Sequence, residues 1–251
     1  RLKRKQVRDL LIGLVDADLL DNGTRHPNLA LLKIAGFLHD NEIPFELILD
    51  PDADIGKYDR IFISRVFSFT KMPAFYLSAN EFIRHTKFAL GGTGFYADEK
   101  DIKTFKDHRA NDMNSLERDG FLNNFPNHRG GSQKYGINMA RQMPYYDLYV
   151  DYVNRQEELG FKRDKYKDYL KYSIGFLTRG CIRHCPFCIN KLESTISPYS
   201  RLEWFLDNEK DEKGRYKRPY IYLWDDNFMA SPNFNEILDD LISTNRNFQF
   251  R

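Results

Sequence analysis

Tyr172-Ser-Ile-Gly-Phe-Leu-Thr178-Arg-Gly-Cys181-Ile-Arg-His-Cys185-Pro-Phe-Cys188 is the stretch on which the reading of this chain turns. Its first seven residues form an apolar run of the length and composition of a buried strand. The eight residues from Cys181 to Cys188 then hold all three cysteines of the protein. Thiols gathered so closely on a loop after a strand point to a metal cluster. A fully protein-ligated iron–sulfur cubane takes four thiolates. With three, one iron is left open, and an open coordination position is where a small molecule is bound and activated.

Downstream of the cysteines the pattern alternates. Ser200-Arg-Leu-Glu203 reads as a capping box opening a helix with Leu202, Phe205 and Leu206 on one side. A hydrophilic turn, Asp207 to Pro219, leads to a strand over Tyr220 to Trp224, which ends in Asp225-Asp226-Asn227-Phe228. Ser231-Pro232 is expected to cap and start a helix whose apolar face is Phe234, Ile237, Leu238, Leu241 and Ile242. Phe248 to Phe250 begins a third strand. Residues 172–251 therefore supply two β/α units and the start of another, whereas a complete (β/α)8 barrel needs about 250 residues and even small ones roughly 200. The expectation is a partial barrel. Because the chain opens on Arg1 and stops on Arg251 in a strand-like run, it reads as a piece of a longer protein.

Upstream, strands and helices also alternate. Leu10 to Val15 is a buried-strand run, followed by a long polar loop from Asp16 to Asn28. Leu31, Ile34, Ala35 and Leu38 then repeat at helical spacing, and Asn41 closes that helix. Strands are expected at Phe45 to Leu49 and Arg60 to Val66. A helix from Pro73 to Arg84 is expected to put Phe75, Ala79, Phe82 and Ile83 on one face. A strand from Lys87 to Leu90 ends in Gly91-Gly92-Thr93-Gly94. Such alternation reads as an α/β fold, a Rossmann-like parallel sheet domain covered by helices. In that arrangement the loops at 16–28 and 91–97 share one edge. Gly92-Thr-Gly94-Phe-Tyr-Ala97 fits G-x-G-x-x-G/A, but it follows the fourth strand and lacks a clear helix after it, so the glycines read as a tight turn. From Ala97 to about Pro144, with Arg129-Gly130-Gly131-Ser132 inside it, loops are expected. The domains are then 1–150, a linker 151–168 with a charged run, and 169–251, the amino-terminal part of a (β/α) TIM-type barrel.

Composition sets outer limits. The 251 residues, with 20 Phe and 15 Tyr, are those of an ordinary globular chain. The 38 basic and 36 acidic residues nearly cancel, leaving no global signal for nucleic acid or membrane binding. No apolar run approaches the roughly 20 residues of a spanning helix, since Lys33 interrupts the best candidate, Leu29 to Leu38. No secretory leader is legible, and three clustered thiols suit a reducing compartment, so a cytoplasmic location is expected.

The pattern C-x3-C-x-aromatic-C, carried by Cys181, Cys185, Phe187 and Cys188, resembles the signature of the radical S-adenosylmethionine (radical SAM) enzymes. The resemblance implies that the three thiolates hold three irons of a [4Fe–4S] cluster. It implies too that S-adenosyl-L-methionine chelates the fourth iron through its amino and carboxylate groups. Reductive cleavage of the sulfonium would then give a 5′-deoxyadenosyl radical that abstracts hydrogen from a substrate. An external electron donor such as flavodoxin or ferredoxin, and a small-molecule or peptide substrate, come with the same resemblance. Phe187 takes the aromatic position whose backbone lies near the adenine. In the family a loop after the second strand, often Gly-Gly-Glu, holds the methionine amino group. Asp225, Asp226 and Asn227 depart from Gly-Gly-Glu and resemble the Asp-Asp-x-Phe variant of members with an N-terminal cobalamin-type domain. An oxygen there accepts hydrogen bonds from an ammonium group. The same residues also read as an Asx turn capping the next helix.

The order of domains and the stretch His26-Pro-Asn-Leu-Ala-Leu-Leu-Lys-Ile-Ala-Gly36 likewise resemble the cobalamin-dependent group. The Asp-x-His-x-x-Gly motif that places a histidine on cobalt is missing from the sequence, so cobalamin binding and an empty, degenerate domain both stand. Other readings of the thiols are weaker. Structural zinc usually pairs two ligand knuckles, and a second one is missing. A ferredoxin-like cluster wants four cysteines. The remaining alternative is a non-enzymatic module stabilised by iron–sulfur or zinc. His26, His39, His85, His108, His128 and His184 show no ligand spacing and read as solvated residues.

Overall fold

The structure, a computed structural model, describes residues 10–95, 137–183, 185–186, 188 and 195–250. The segment expected as loops from Ala97 falls outside these up to residue 136, and Phe187, His108, His128 and His184 also lie outside them. The chain divides into two compact units, Arg1–Met139 with Pro144–Tyr152, and Ala140–Met143 with Val153–Arg251. Both are mixed α/β. No helix among the described residues is long and apolar enough to cross a membrane.

In the first unit β1 (Ile12–Asp16), β2 (Phe45–Leu47), β3 (Arg60–Ser64) and β4 (Phe88–Gly91) form one sheet in the order β2-β1-β3-β4. Every pair is parallel. β1 and β3 are buried throughout, which is why their centres, residues 12–15 and 61–63, show no polar alternation. Helices follow the strands as α1 (Ala17–Asn22), α2 (Leu29–Asp40), α3 (Ala74–Leu77) and α4 (Glu81–Lys87). Val15, Ile61, Ile63 and Phe88 pack with Phe75 and the half-buried Ile83 in one cluster. α2 is buried almost all round, and its one buried cation, Lys33, donates through Nζ to the Met139 carbonyl at 2.6 Å.

Two expectations fail here for identifiable reasons. The polar loop after β1 contains α1, because Asp16 at the strand end accepts from Leu19 N at 3.2 Å and so nucleates a helical turn. The helix from Pro73 to Arg84 is broken: α3 ends at Ser78, and Asn80 starts α4 afresh by accepting from Ile83 N at 2.9 Å. With the helical phase reset, Phe82 is 75 % exposed instead of sharing a face with Phe75. The glycines after β4 do make a tight turn, a 3-10 turn over Thr93–Phe95. Gly92 has φ 106, and a Cβ there would lie 2.2 Å from the Arg65 carbonyl oxygen.

The tyrosine-rich stretch packs into the first unit. Tyr145 N donates to Leu32 O at 2.8 Å, and its ring stacks on His39 at 4.9 Å. Tyr149, fully buried, donates its hydroxyl to Asp16 Oδ2 at 2.8 Å and accepts from Asn28 N at 3.1 Å. Asn28 caps α2 through Leu31 N and donates Nδ2 to Ser64 Oγ at 2.8 Å. Asp18 accepts from Val66 N, Phe67 N and Thr70 Oγ1. The carboxyl edge of the sheet is thereby laced together by buried polar groups.

In the second unit α5 (Val150–Glu158), which brings the chain across from the first unit, and α6 (Lys167–Leu170) lead to β5 (Tyr172–Gly175). β6 (Thr178–Arg179), β7 (Ser197–Pro198), β8 (Tyr220–Leu223), α7 (Phe234–Ser243) and β9 (Asn247–Phe250) follow. β5, β8 and β9 make a three-stranded sheet in that order, parallel at both pairings. Leu177, Phe205, Leu206, Ile221, Leu223, Phe228 and Leu241 form its core. Gly175 makes room for it, since a Cβ there would stand 2.4 Å from the Phe205 ring. At the amino edge two buried arginines tie the connections. Arg218 donates to the carbonyls of Tyr169 and Tyr172, and Arg246 to that of Asp207.

The capping box at Ser200 does not form. Leu202–Trp204 is only a 3-10 turn without a side-chain cap, and Ser200 Oγ instead donates to Ala140 O. α7 begins at Phe234, later than Ser231-Pro232 suggests, and Ile242 is exposed.

Burial raises the Asp16 pKa from 3.8 to about 7, against the lowering effect of the Tyr149 hydrogen bond. Between about pH 4 and pH 7 the unfolded chain ionises while native Asp16 keeps its proton, so this group's contribution to stability falls as pH rises and is level above that window. Asp16→Asn keeps a helix-capping oxygen. Urea unfolding at about pH 4.5 and 7.5 should show that the variant loses on the order of 1–3 kcal/mol of this pH dependence. Gly175→Ala should destabilise the second unit by about 1–3 kcal/mol, through overpacking against Phe205, in the same assay.

Candidate functional site

The cysteine loop leaves the carboxyl end of β5 and is closed at its base. β6 and β7 pair antiparallel, Thr178 with Pro198 and Arg179 with Ser197, so the chain that departs at Gly180 returns beside its own start. Tyr199 N donates to Leu177 O at 2.8 Å, continuing that closure. Arg179 lies over the Phe176 ring at 3.7 Å and near the Tyr199 ring at 5.3 Å. Gly180, with φ 96, turns the chain outward into the cysteine segment.

The end of β8 supplies the other wall. Trp224 N donates to Gly175 O at 2.9 Å and prolongs the β5–β8 ladder by one step. Asp225 then turns inward. Its Oδ2 accepts from Leu177 N at 3.1 Å, and its Oδ1 accepts from Thr178 N and from Thr178 Oγ1 at 2.6 Å. Burial raises the Asp225 pKa, while these bonds and nearby Arg179 act against the rise. Asp226 is exposed and lies 4.0 Å from the Arg179 guanidinium. Asn227 directs Nδ2 at Cys181 Sγ, 3.5 Å away. It makes no side-chain cap to the 3-10 turn Phe228–Ala230 that it precedes, so the Asx-cap reading has no such bond behind it.

Cys181, Cys185 and Cys188 are of intermediate burial and form no disulfide with one another. Arg183 N donates to Cys181 Sγ at 3.4 Å, and Cys188 N to Cys185 O at 3.0 Å, which closes a turn between the second and third thiols. Among the described residues no group of three or more His, Cys, Asp or Glu side chains is gathered as a metal site. The donor set suits a thiolate-held cluster. The thiols are partly shielded, and two N–H groups are aimed at one sulfur, the kind of outer contact that supports a soft metal centre.

Asp225, Asp226 and Asn227 thus meet the loop at different points: its base, Arg179 and Cys181. Sequence reasoning did not single out Leu177, Thr178, Arg179 or Tyr199. A two-residue ribbon has no periodicity to detect, and the only local signal is β-branched Thr178 and an edge-strand proline at Pro198.

In the first unit the recess at the carboxyl edge is small, about 100 Å³, and lined mainly by apolar groups including Leu31, Ile34, Phe62, Ala89 and Met139. Typical ligand pockets are ~300–1,000 Å³.

No protein-family model matches the chain, and no curated protein or solved structure matches it.

Asp225→Ala strands two backbone N–H groups and a hydroxyl at the loop base. A loss of roughly 2–4 kcal/mol is expected, with faster amide exchange at Leu177 and Thr178 and faster alkylation of Cys181. Unchanged exchange there would show that the carboxylate does not hold the loop.

Proposed function

We propose that the chain is a radical SAM protein whose second unit is the amino-terminal part of a (β/α) TIM-type barrel. One observation carries this reading: three partly shielded thiols lie on a loop that leaves the carboxyl end of the first strand of a parallel sheet. Sites in such sheets are built on loops at that edge. Cys181, Cys185 and Cys188 would hold a [4Fe–4S] cluster, and Phe187 would lie by the adenine of S-adenosyl-L-methionine. Cluster and S-adenosyl-L-methionine together supply a carbon-centred radical when an external donor such as flavodoxin or ferredoxin delivers an electron. The residues of the chain position and shield. Asp225 fixes the loop base, Asn227 reaches the first sulfur, and Arg179 with Asp226 puts paired charge beside the loop. The location is proposed as cytoplasmic, and the substrate as a small molecule or peptide.

The first unit is proposed to be a Rossmann-like, cobalamin-type domain in degenerate form. Its four parallel strands support the Rossmann-like reading. The crevice between the ends of β1 and β3, where ligands of such sheets lie, is occupied by Asp16, Tyr149, Asn28 and Ser64 bonded to one another. Incubation with hydroxocobalamin followed by desalting should leave no corrinoid absorption on the chain.

Anaerobic reconstitution with iron and sulfide should give about four irons per chain, with reductant-dependent release of 5′-deoxyadenosine from S-adenosyl-L-methionine. Replacing any of the three cysteines by alanine should abolish both. A chain that takes up one zinc and no sulfide refutes the proposal. A cluster without affinity for S-adenosyl-L-methionine indicates the binding module instead.

A further inference from the structure

We infer that Asn227 is a positioning residue for the Cys181 sulfur: its side-chain amide donates to this thiolate ligand and raises the reduction potential of the cluster the ligand holds. The inference rests on the cluster reading above and extends it from the ligands to a residue behind one of them.

The geometry is specific. Asn227 Nδ2 lies 3.5 Å from Cys181 Sγ, and Arg183 N approaches the same sulfur at 3.4 Å from within the loop. One donor belongs to the loop and moves with it; the other stands on the end of β8. That end is fixed. Trp224 N extends the β5–β8 ladder, Asp225 is locked to Leu177 and Thr178, and Ala230 N donates to Asn227 O at 3.2 Å. With backbone held on both sides and no helix-capping bond from its side chain, Asn227 has its amide turned to Cys181 Sγ.

An N–H aimed at a thiolate ligand stabilises the state of higher negative charge, and hydrogen bonds to sulfur are among the determinants of cluster potential. For a metal held by the loop, the amide therefore favours the reduced form. The sequence resemblance suggests a different role for Asn227, a contact to the ammonium of S-adenosyl-L-methionine, and the two roles differ in what they change. An ammonium contact alters affinity for that molecule. A contact to sulfur alters the potential in its absence.

The test uses the 251-residue chain and its Asn227→Leu, Asn227→Asp and Asn227→Gln variants, reconstituted anaerobically, with redox titration followed by electron paramagnetic resonance and no S-adenosyl-L-methionine present. At a fixed potential the reduced-to-oxidised ratio should fall roughly three- to tenfold in Asn227→Leu, the scale of one ordinary net hydrogen bond. It should fall further in Asn227→Asp, which keeps the shape and adds negative charge, and return toward the parent value in Asn227→Gln, which keeps a donor. Should Asn227→Leu fail to fold, Asn227→Asp decides. Full iron content with an unmoved ratio in Asn227→Asp and Asn227→Leu overturns the inference alone, as does weaker S-adenosyl-L-methionine binding at unchanged potential. Failure of the parent chain to assemble any cluster overturns the cluster reading and this inference together.

Discussion

The buried carboxylate of Asp225 is the constraint on which the second unit depends. Parallel pairing of β5 with β8 brings the ends of two strands separated by more than forty residues to one edge. Pairing alone does not say where the chain goes next. Asp225 does, by accepting two backbone N–H groups and a hydroxyl from the residues that immediately follow β5. Its oxygens take up the N–H groups of Leu177 and Thr178 beyond the end of the β5–β8 ladder. A buried charged group is tolerated only when bonded in this way, and here the bonding partners are the base of the cysteine loop.

The first unit solves a related problem with the opposite outcome. Its sheet also gathers strand ends at a carboxyl edge, but polar side chains there bond to one another instead of leaving an opening. Asp16, Tyr149, Asn28 and Ser64 bridge β1, α2 and β3 together with a segment distant in sequence. Burial strong enough to hold Asp16 partly protonated near neutral pH is the electrostatic mark of that closure. The two edges are built from similar parts, with one closed by its side chains and the other carrying a loop with three thiols.

Much of this was legible in sequence. Strands buried on both faces, such as Arg60–Ser64, read as apolar runs, and α2 shows regular spacing with Asn28 and Asn41 at its ends. The thiols announced themselves by spacing. What stayed hidden depended on competition between local and distant partners. Ser200 has the sequence of a capping residue, yet its hydroxyl meets the Ala140 carbonyl, a partner far along the chain. Asp16 looked like the start of a loop because a helix of one and a half turns has too few residues for periodicity. The bonds of Asp225 to Leu177 and Thr178 were hidden because a carboxylate after a strand carries no sign of which way it faces. The direction is set by β5, and only pairing in space reveals it.

The ribbon of β6 and β7 has a further consequence. By pairing Arg179 with Ser197 it brings the two ends of the cysteine segment together beside the sheet. Closing a loop becomes only slightly costlier as it grows, about 0.6 kcal/mol for each doubling of length. Lengthening the segment between the two ribbon strands would therefore cost the ribbon little in closure entropy.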